Sequence, residues 1–157
     1  TGFAVVELDQ ETGKYEIPEY LGVADCGTVM YPDGLGAQMH GGAVMGFGMA
    51  SSERHVYDPK LGIPANRGLY QQKPPTYLDV PSKLEWAAVN KPDPQSPFGS
   101  RGVGEPPLGA AASAVASAIS DAMGGHLFNR IPVTPDMIVN VLSGQPQSHK
   151  ALQVNTQ

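Results

Sequence analysis

Apolar and polar positions alternate at the start of the chain and then stop alternating. Residues 3–8 are rich in valine and other apolar side chains, Asp9-Gln10-Glu11-Thr12-Gly13 interrupts them, and extended character resumes over residues 14–23. This pattern predicts a β-hairpin. Asp25-Cys26-Gly27 ends the second strand, and Tyr31-Pro32-Asp33 breaks the chain where a helix can start. Residues 34–50 are apolar on every side and carry glycine at 34, 36, 41, 42, 46 and 48. Each interior glycine costs a helix about 1 kcal/mol relative to alanine. Such a helix survives if it is buried and gains contacts all round, and the missing side chains let a backbone or a ligand approach closely.

The second half is more broken. Residues 55–58 read as a short strand followed by a turn, and residues 65–79, with Pro74-Pro75, as a loop. Residues 83–89 alternate Leu84, Trp86 and Ala88 against Glu85 and Ala87, a strand signature. A proline-rich connection over residues 91–99 leads to a helix of alanine and serine at 108–123. Pro107 suits its first turn, and Gly124-Gly125 its end. Thr134 caps a last short helix, with Pro135 at its first position and Gly144 after its end. The pattern is α+β: one continuous unit over residues 1–144, then a polar segment, 145–157, expected as a mobile tail or an arm on a partner.

Composition narrows the function. The 157 residues carry a net charge of −5 with no basic cluster, which argues against nucleic acid as a partner. A single cysteine, Cys26, excludes an internal disulfide or an iron–sulfur cluster built from this chain, and the four histidines lack metal-ligand spacing. No stretch of 18 apolar residues predicts a membrane span. Thr1 opens directly into strand-like sequence, so no signal peptide is read and a cytoplasmic location is expected, a periplasmic complex being the alternative. Thr1 is not methionine: either an initiator was removed or the chain is a fragment. Charged residues are only 16%, against a usual share of about 25%, while there are 19 glycines and 15 prolines. A small domain poor in charge suggests a surface covered by a partner subunit or a large cofactor.

Two segments carry candidate chemistry. In Gly99-Ser100-Arg101-Gly102-Val103-Gly104-Glu105-Pro106-Pro107, glycines free the backbone and two prolines fix the turn leaving Glu105. A carboxylate is thereby held at a loop-to-helix junction. It is either a reactive group or simply a favourable anion at a helix N-terminus. In Gln38-Met39-His40-Gly41-Gly42, Gln38 offers donors and an acceptor to a polar cofactor edge, and the glycine pair lets a cofactor lie against the backbone. The competing reading is a tight helix crossing, with Gln38 satisfied by main chain and His40 packed and hydrogen-bonded. Asp58, Asp79 and Asp93 sit in turns, and Cys26 reads as buried filler.

At these residues the sequence resembles a known family. The run GSRGVGEPPLGAAASAVASAISDA is similar to the segment around the active-site glutamate of xanthine dehydrogenase and aldehyde oxidoreductase large subunits. VADCGTVMYPDGLGAQMHGGAVMGFGMASSE resembles the preceding cofactor-contact helix, and ELDQETGKYEI and PPTYLDVP fall in the right order around it. The resemblance covers residues 3–142. Tyr31 stands where the family often has asparagine, and Arg101 where lysine is frequent, which keeps the charge but changes its geometry. The family's subunit runs several hundred residues further upstream. This chain therefore resembles the C-terminal piece of the molybdopterin-binding subunit, either a split gene product or a partial chain.

The resemblance implies a molybdenum hydroxylase that oxidises an electrophilic carbon with water-derived oxygen. Glu105 would be the catalytic base. Gln38, Met39, His40, Gly41 and Gly42, with Ser100, Arg101, Gly102, Val103 and Gly104, would contact a molybdopterin, in bacteria usually the cytosine dinucleotide form, shared with a partner chain. No protein metal ligand is implied, because the pterin dithiolene binds molybdenum. The implied partners are a larger molybdopterin-binding subunit, an iron–sulfur subunit and a flavin (FAD) subunit, besides a small-molecule substrate. A carboxylate against a dry apolar pocket suits a base working near neutral pH. Two other readings stay open: a reductive family member resembling hydroxybenzoyl-CoA reductases, and a non-catalytic assembly module.

Overall fold

The computed structural model describes residues 1–149. The expected hairpin is present as β1 (Gly2–Leu8) and β2 (Tyr15–Ala24), paired antiparallel with a register shift between Val5 and Glu7. Its turn is held by Asp9, whose carboxylate accepts from the Glu11 amide at 2.9 Å and the Thr12 hydroxyl at 2.6 Å. Gly13 closes it at φ +69°, where a Cβ would lie 2.4 Å from the Pro135 carbonyl oxygen. The third strand, β3 (Lys83–Ala88), lies parallel to β2 on its other side, so the sheet order is β1-β2-β3 with β1 and β3 as its edges.

Two helices cover one face of this sheet. The glycine-rich α1 (Pro32–Ser51) and the alanine-rich α3 (Pro106–Ala122) pack against each other and beneath the strands. The core is built from both, with Phe47, Ala43 and Ala50 of α1, Ala111, Val115 and Ile119 of α3, and Tyr20 of β2. Tyr20 and Phe47 meet edge to face at 5.1 Å. The last helix, α4 (Pro135–Leu142), adds Ile138, and the preceding Val133 is tied to α1 by its amide, 2.8 Å from the Ala50 oxygen. The Tyr15 hydroxyl donates to the Val133 oxygen at 3.0 Å, and its burial raises the phenol's pKa.

Three expectations are corrected. The short strand at 55–58 is a single bridge between Tyr57 and Pro64, because no neighbouring strand is there to extend it. The loop over 65–79 contains a helical turn, α2 (Leu69–Gln72), and a 3-10 turn, Tyr77–Asp79, the latter closed by Asp79 accepting from the Thr76 amide and hydroxyl. The start of the polar segment is attached to the domain: the Gln147 side-chain amide donates to the Met137 oxygen at 3.0 Å and the Ser148 hydroxyl to Asp136 at 3.1 Å. The rest of that segment, 150–157, lies outside the described residues. At the other end of α4, Thr134 occupies the N-cap position, but its hydroxyl turns to the Asp136 carboxylate and caps no backbone amide.

Candidate functional site

The two segments singled out by sequence are neighbours in space. A Cβ on Gly42 would lie 2.7 Å from the Pro107 ring, and one on Gly46 would lie 2.5 Å from the Leu108 oxygen and 2.6 Å from the Ala111 Cβ. These two glycines therefore let α1 and the start of α3 cross in contact. One turn earlier, Met39 and Leu35 form a second small cluster with Ala24 and Cys26, onto which Val103 packs. The segment leading to Glu105 is thus seated on α1 through Val103 and Pro107.

The end of β2 fixes the start of that segment. The Thr28 amide donates to the Gly99 oxygen at 2.7 Å, and the Arg101 amide to the Cys26 oxygen at 2.7 Å. Gly27, at φ +68°, permits this: a Cβ there would be 2.1 Å from the Gly99 oxygen. The Arg101 guanidinium donates to Asp93 at 2.6 Å and to Asp25 at 3.3 Å. This pairing holds the Asp93 carboxyl below its ordinary range, with the Gln95 amide helping. Sequence reading missed Asp25 and Asp93 as clamps on Arg101, since their separations from it follow no periodicity. Only the excess of turn-forming residues around Asp93 hinted at a built loop.

Glu105 is the N-cap residue of α3, and its side chain caps nothing. An N-cap side chain normally accepts from the amide two or three positions on. Here Pro106 and Pro107 lack N–H groups, and the Leu108 amide is taken by Glu105's own carbonyl at 3.0 Å. The carboxylate is therefore left without a local donor, exposed, on a rigid junction. The dry apolar surroundings expected around it are not supplied by the described residues of this chain.

The remaining candidate residues divide by environment. Met39 is only 4% exposed, so its side chain serves the small cluster, as that of Val103 partly does. Gly42 is closed off by Pro107. Ser100 is half-buried in a bridge to Gly27, and Arg101 is engaged by its two carboxylates. Gln38 is exposed, and Gly41, Gly102 and Gly104 have nothing within 4 Å of where a Cβ would sit. His40 is half-buried, and against expectation its Nε2 is buried with no hydrogen-bond partner among the described residues. Leaving such an atom unpaired costs about 1–3 kcal/mol. Open glycine backbone, a free carboxamide and an unpaired ring nitrogen fit a flat polar group such as a pterin. Among the described residues, no three His, Cys, Asp or Glu side chains gather as a metal site, and no helix is long and apolar enough to cross a membrane.

Comparison with known proteins identifies the family of the chain. Residues 1–81 match the model of the molybdopterin cofactor-binding domain. The chain is 37% identical over 133 residues to the xanthine dehydrogenase molybdenum-binding subunit of Escherichia coli O157:H7, an alignment covering 85% of this chain and 17% of that protein. Among solved structures it superposes on quinoline 2-oxidoreductase of Pseudomonas putida 86 with a TM-score of 0.83 and 30% identity, covering 91% of this chain and 18% of that one. Aldehyde oxidoreductase of Desulfovibrio gigas gives a TM-score of 0.77 at 30% identity, over 88% and 15% of the two chains. The chain thus spans less than a fifth of the length of these relatives. With its fold, its order of segments and these matches in agreement, the chain belongs to the molybdopterin cofactor-binding family of xanthine dehydrogenase and aldehyde oxidoreductase molybdenum-binding subunits.

Proposed function

We propose that this chain is the part of a molybdenum-dependent hydroxylase or dehydrogenase that supplies the catalytic base, Glu105, and one wall of the pterin site. When bound, the molybdenum–pterin group supplies two-electron oxidation of carbon with oxygen drawn from water. The chain's own residues bind and move a proton. Gln38 offers its carboxamide to a pterin edge, the open backbone at Gly41, Gly102 and Gly104 lets a flat group approach, and His40 Nε2 gains the partner it lacks. Glu105 accepts the proton released as oxygen becomes nucleophilic, from the N-cap position of α3. The substrate is a small molecule with an electrophilic carbon, an N-heterocycle or an aldehyde, which are the kinds of compound that the relatives' names carry. The cytosine dinucleotide form of the pterin, with iron–sulfur and flavin groups on other subunits, completes the reading, as does a location in the cytoplasm.

The observation that carries this proposal is the Glu105 carboxylate. Pro106 and Pro107 strip it of local donors, and Val103 and Pro107, on either side of Glu105 in the chain, seat the segment on α1. The test is Glu105→Gln in the assembled enzyme, with molybdenum content and turnover read together. A loss of about 10²- to 10⁴-fold in kcat with molybdenum retained is expected for removal of a general base. Near-normal turnover overturns the assignment, and loss of molybdenum along with activity gives Glu105 a structural role instead.

A further inference from the structure

The sheet is unfinished at β1. Thr1 and Val23 exchange both backbone hydrogen bonds, at 2.9 and 2.8 Å. In an antiparallel pair such bonded positions alternate with positions whose N–H and C=O point away from the partner strand. Phe3 and Val5, in register with Leu21 and Glu19, therefore face β2 with their backbone, while Gly2 and Ala4 turn theirs outward. Nothing among the described residues pairs with that outer edge. Residues 2–6 contain no proline, lysine or other charge, the devices that blunt a free edge. Phe3 and Val5 are 59% and 50% exposed.

Beside this edge runs a cleft of about 450 Å³ between β1 and α3. Its strand wall is Gly2 to Ala4, and its helix wall presents mostly small side chains, among them Ala110, Ser113, Ser117 and Ala118, with Asp121 on the last turn of that wall. An extended backbone fits such a wall without clash. A second, independent feature lies beside it. The Tyr20 hydroxyl is buried, on a residue only 3% exposed, and has no hydrogen-bond partner among the described residues. It ends behind Gly2, where a Cβ would be 2.7 Å from it and 2.8 Å from the Ala110 oxygen. Gly2 and Ala110 both line the cleft.

We propose that the free edge of β1, with the cleft between it and α3, seats an extended segment of the remaining molybdenum-binding polypeptide, added as a further strand beside β1. This rests on the reading of the chain as part of such a subunit. The matched relatives carry more than four-fifths of their length beyond the region this chain covers. That body must lie against surfaces the chain leaves open, and of the sheet's two edges β3 carries Lys83 and Glu85 whereas residues 2–6 of β1 carry no charge. The added strand bonds the outward groups of Gly2 and Ala4, covers Phe3 and Val5, and brings an acceptor to the Tyr20 hydroxyl.

The test uses the assembled molybdenum-binding subunit, whether its remainder is joined to this chain or bound to it. Residue-resolved hydrogen exchange is measured at Ala4 and Val5, with Ala4→Pro and Ser117→Trp as variants. Ala4→Pro removes an outward donor and leaves the β2 bonds in place, and Ser117→Trp fills the cleft from an exposed helix position. The expected result is slow exchange at Ala4 as well as Val5, with about three- to tenfold weaker assembly in each variant, the worth of about one hydrogen bond or more. Fast exchange at Ala4 beside slow exchange at Val5 overturns the proposal, as does unchanged assembly in both variants. Protection of Ala4 that rises with the concentration of this chain alone assigns the edge to a second copy and also overturns it. An assembled subunit that lacks molybdenum refutes the proposed function, while the exchange at Ala4 still decides this one.

Discussion

On α1, Gly46 and Gly41 look alike in sequence and have opposite surroundings. A Cβ at Gly46 would press to 2.5 Å on the Leu108 oxygen, whereas one at Gly41 meets nothing within 4 Å. The first glycine exists so that two helices can cross. The second has no packing reason, and it pays the same cost in helix propensity. A glycine kept without a packing reason points to something outside the chain. The same division separates Gly42 from Gly102 and Gly104, so the glycines of the two candidate segments do not all answer one demand.

Substitution can break that comparison. The largest effect is expected at the crossing: Gly46→Leu forces α1 away from α3, at a cost of about 3 kcal/mol or more. For a chain of this size that lowers Tm by about 6–12 °C, read by thermal unfolding of the assembled protein. A Tm within about 2 °C of the parent would mean that the helices separate freely and that the crossing does not explain the glycine. Gly41→Leu is expected to leave Tm unchanged or raised, because leucine is the better helix former. Molybdenum and pterin retention should nevertheless fall about tenfold, the effect of roughly 1.4 kcal/mol. Metal and pterin analysis checks this, and full retention would show that the open face of α1 meets only protein. Gln38→Ala should act in the same direction.

The smallest effect belongs to the clamp behind the site. Asp93→Asn weakens the grip on Arg101, and because Arg101 is half exposed and the variant keeps a hydrogen-bond acceptor, the shift in Tm should be about 2 °C or less. Its pH dependence sharpens the assignment. The Asp93 carboxyl is held below its ordinary value of 3.8 by Arg101. A depressed carboxyl stabilises the fold above its unfolded pKa and loses that contribution as pH falls through the lowered folded value. The difference in Tm between parent and variant should therefore be constant above about pH 5 and disappear in acid. A difference that persists at pH 2 would assign the effect to packing.

Local signals made the hairpin, α1, β3 and the two later helices legible, because alternation and Pro/Gly punctuation are properties of short windows. The all-round burial expected of α1 is not found, since Gln38, Gly41, Met45 and Met49 lie on an exposed face. Glu105 was legible as a carboxylate at a junction for the same reason. What decides its surroundings was not, since Val103 reaches a cluster assembled from β2 and α1, and Pro107 meets Gly42 across the fold. Met39 shows the limit most clearly. Its neighbours Gln38 and Gly41 are open, yet the helical turn carries Met39 itself into the core. Residues 55–58 have strand-like composition, but strand formation requires a neighbour, and the sheet ends elsewhere.

The path of the chain through its two layers has a consequence for cleavage. β2 and α1 come from the first third, β3 and α3 from later, and each early element lies directly against a late one: β2 beside β3, α1 across α3. The long excursion between them, with Leu61 70% exposed and Gly62 at φ +66°, contributes no residue to either core cluster. A protease cutting between Leu61 and Gly62 would sever the polypeptide without severing the body, since the two fragments are interleaved strand by strand and helix by helix. Such a nicked protein should stay together under native conditions and fall into two pieces only in denaturant, so that a doublet on a denaturing gel would be no sign of lost structure.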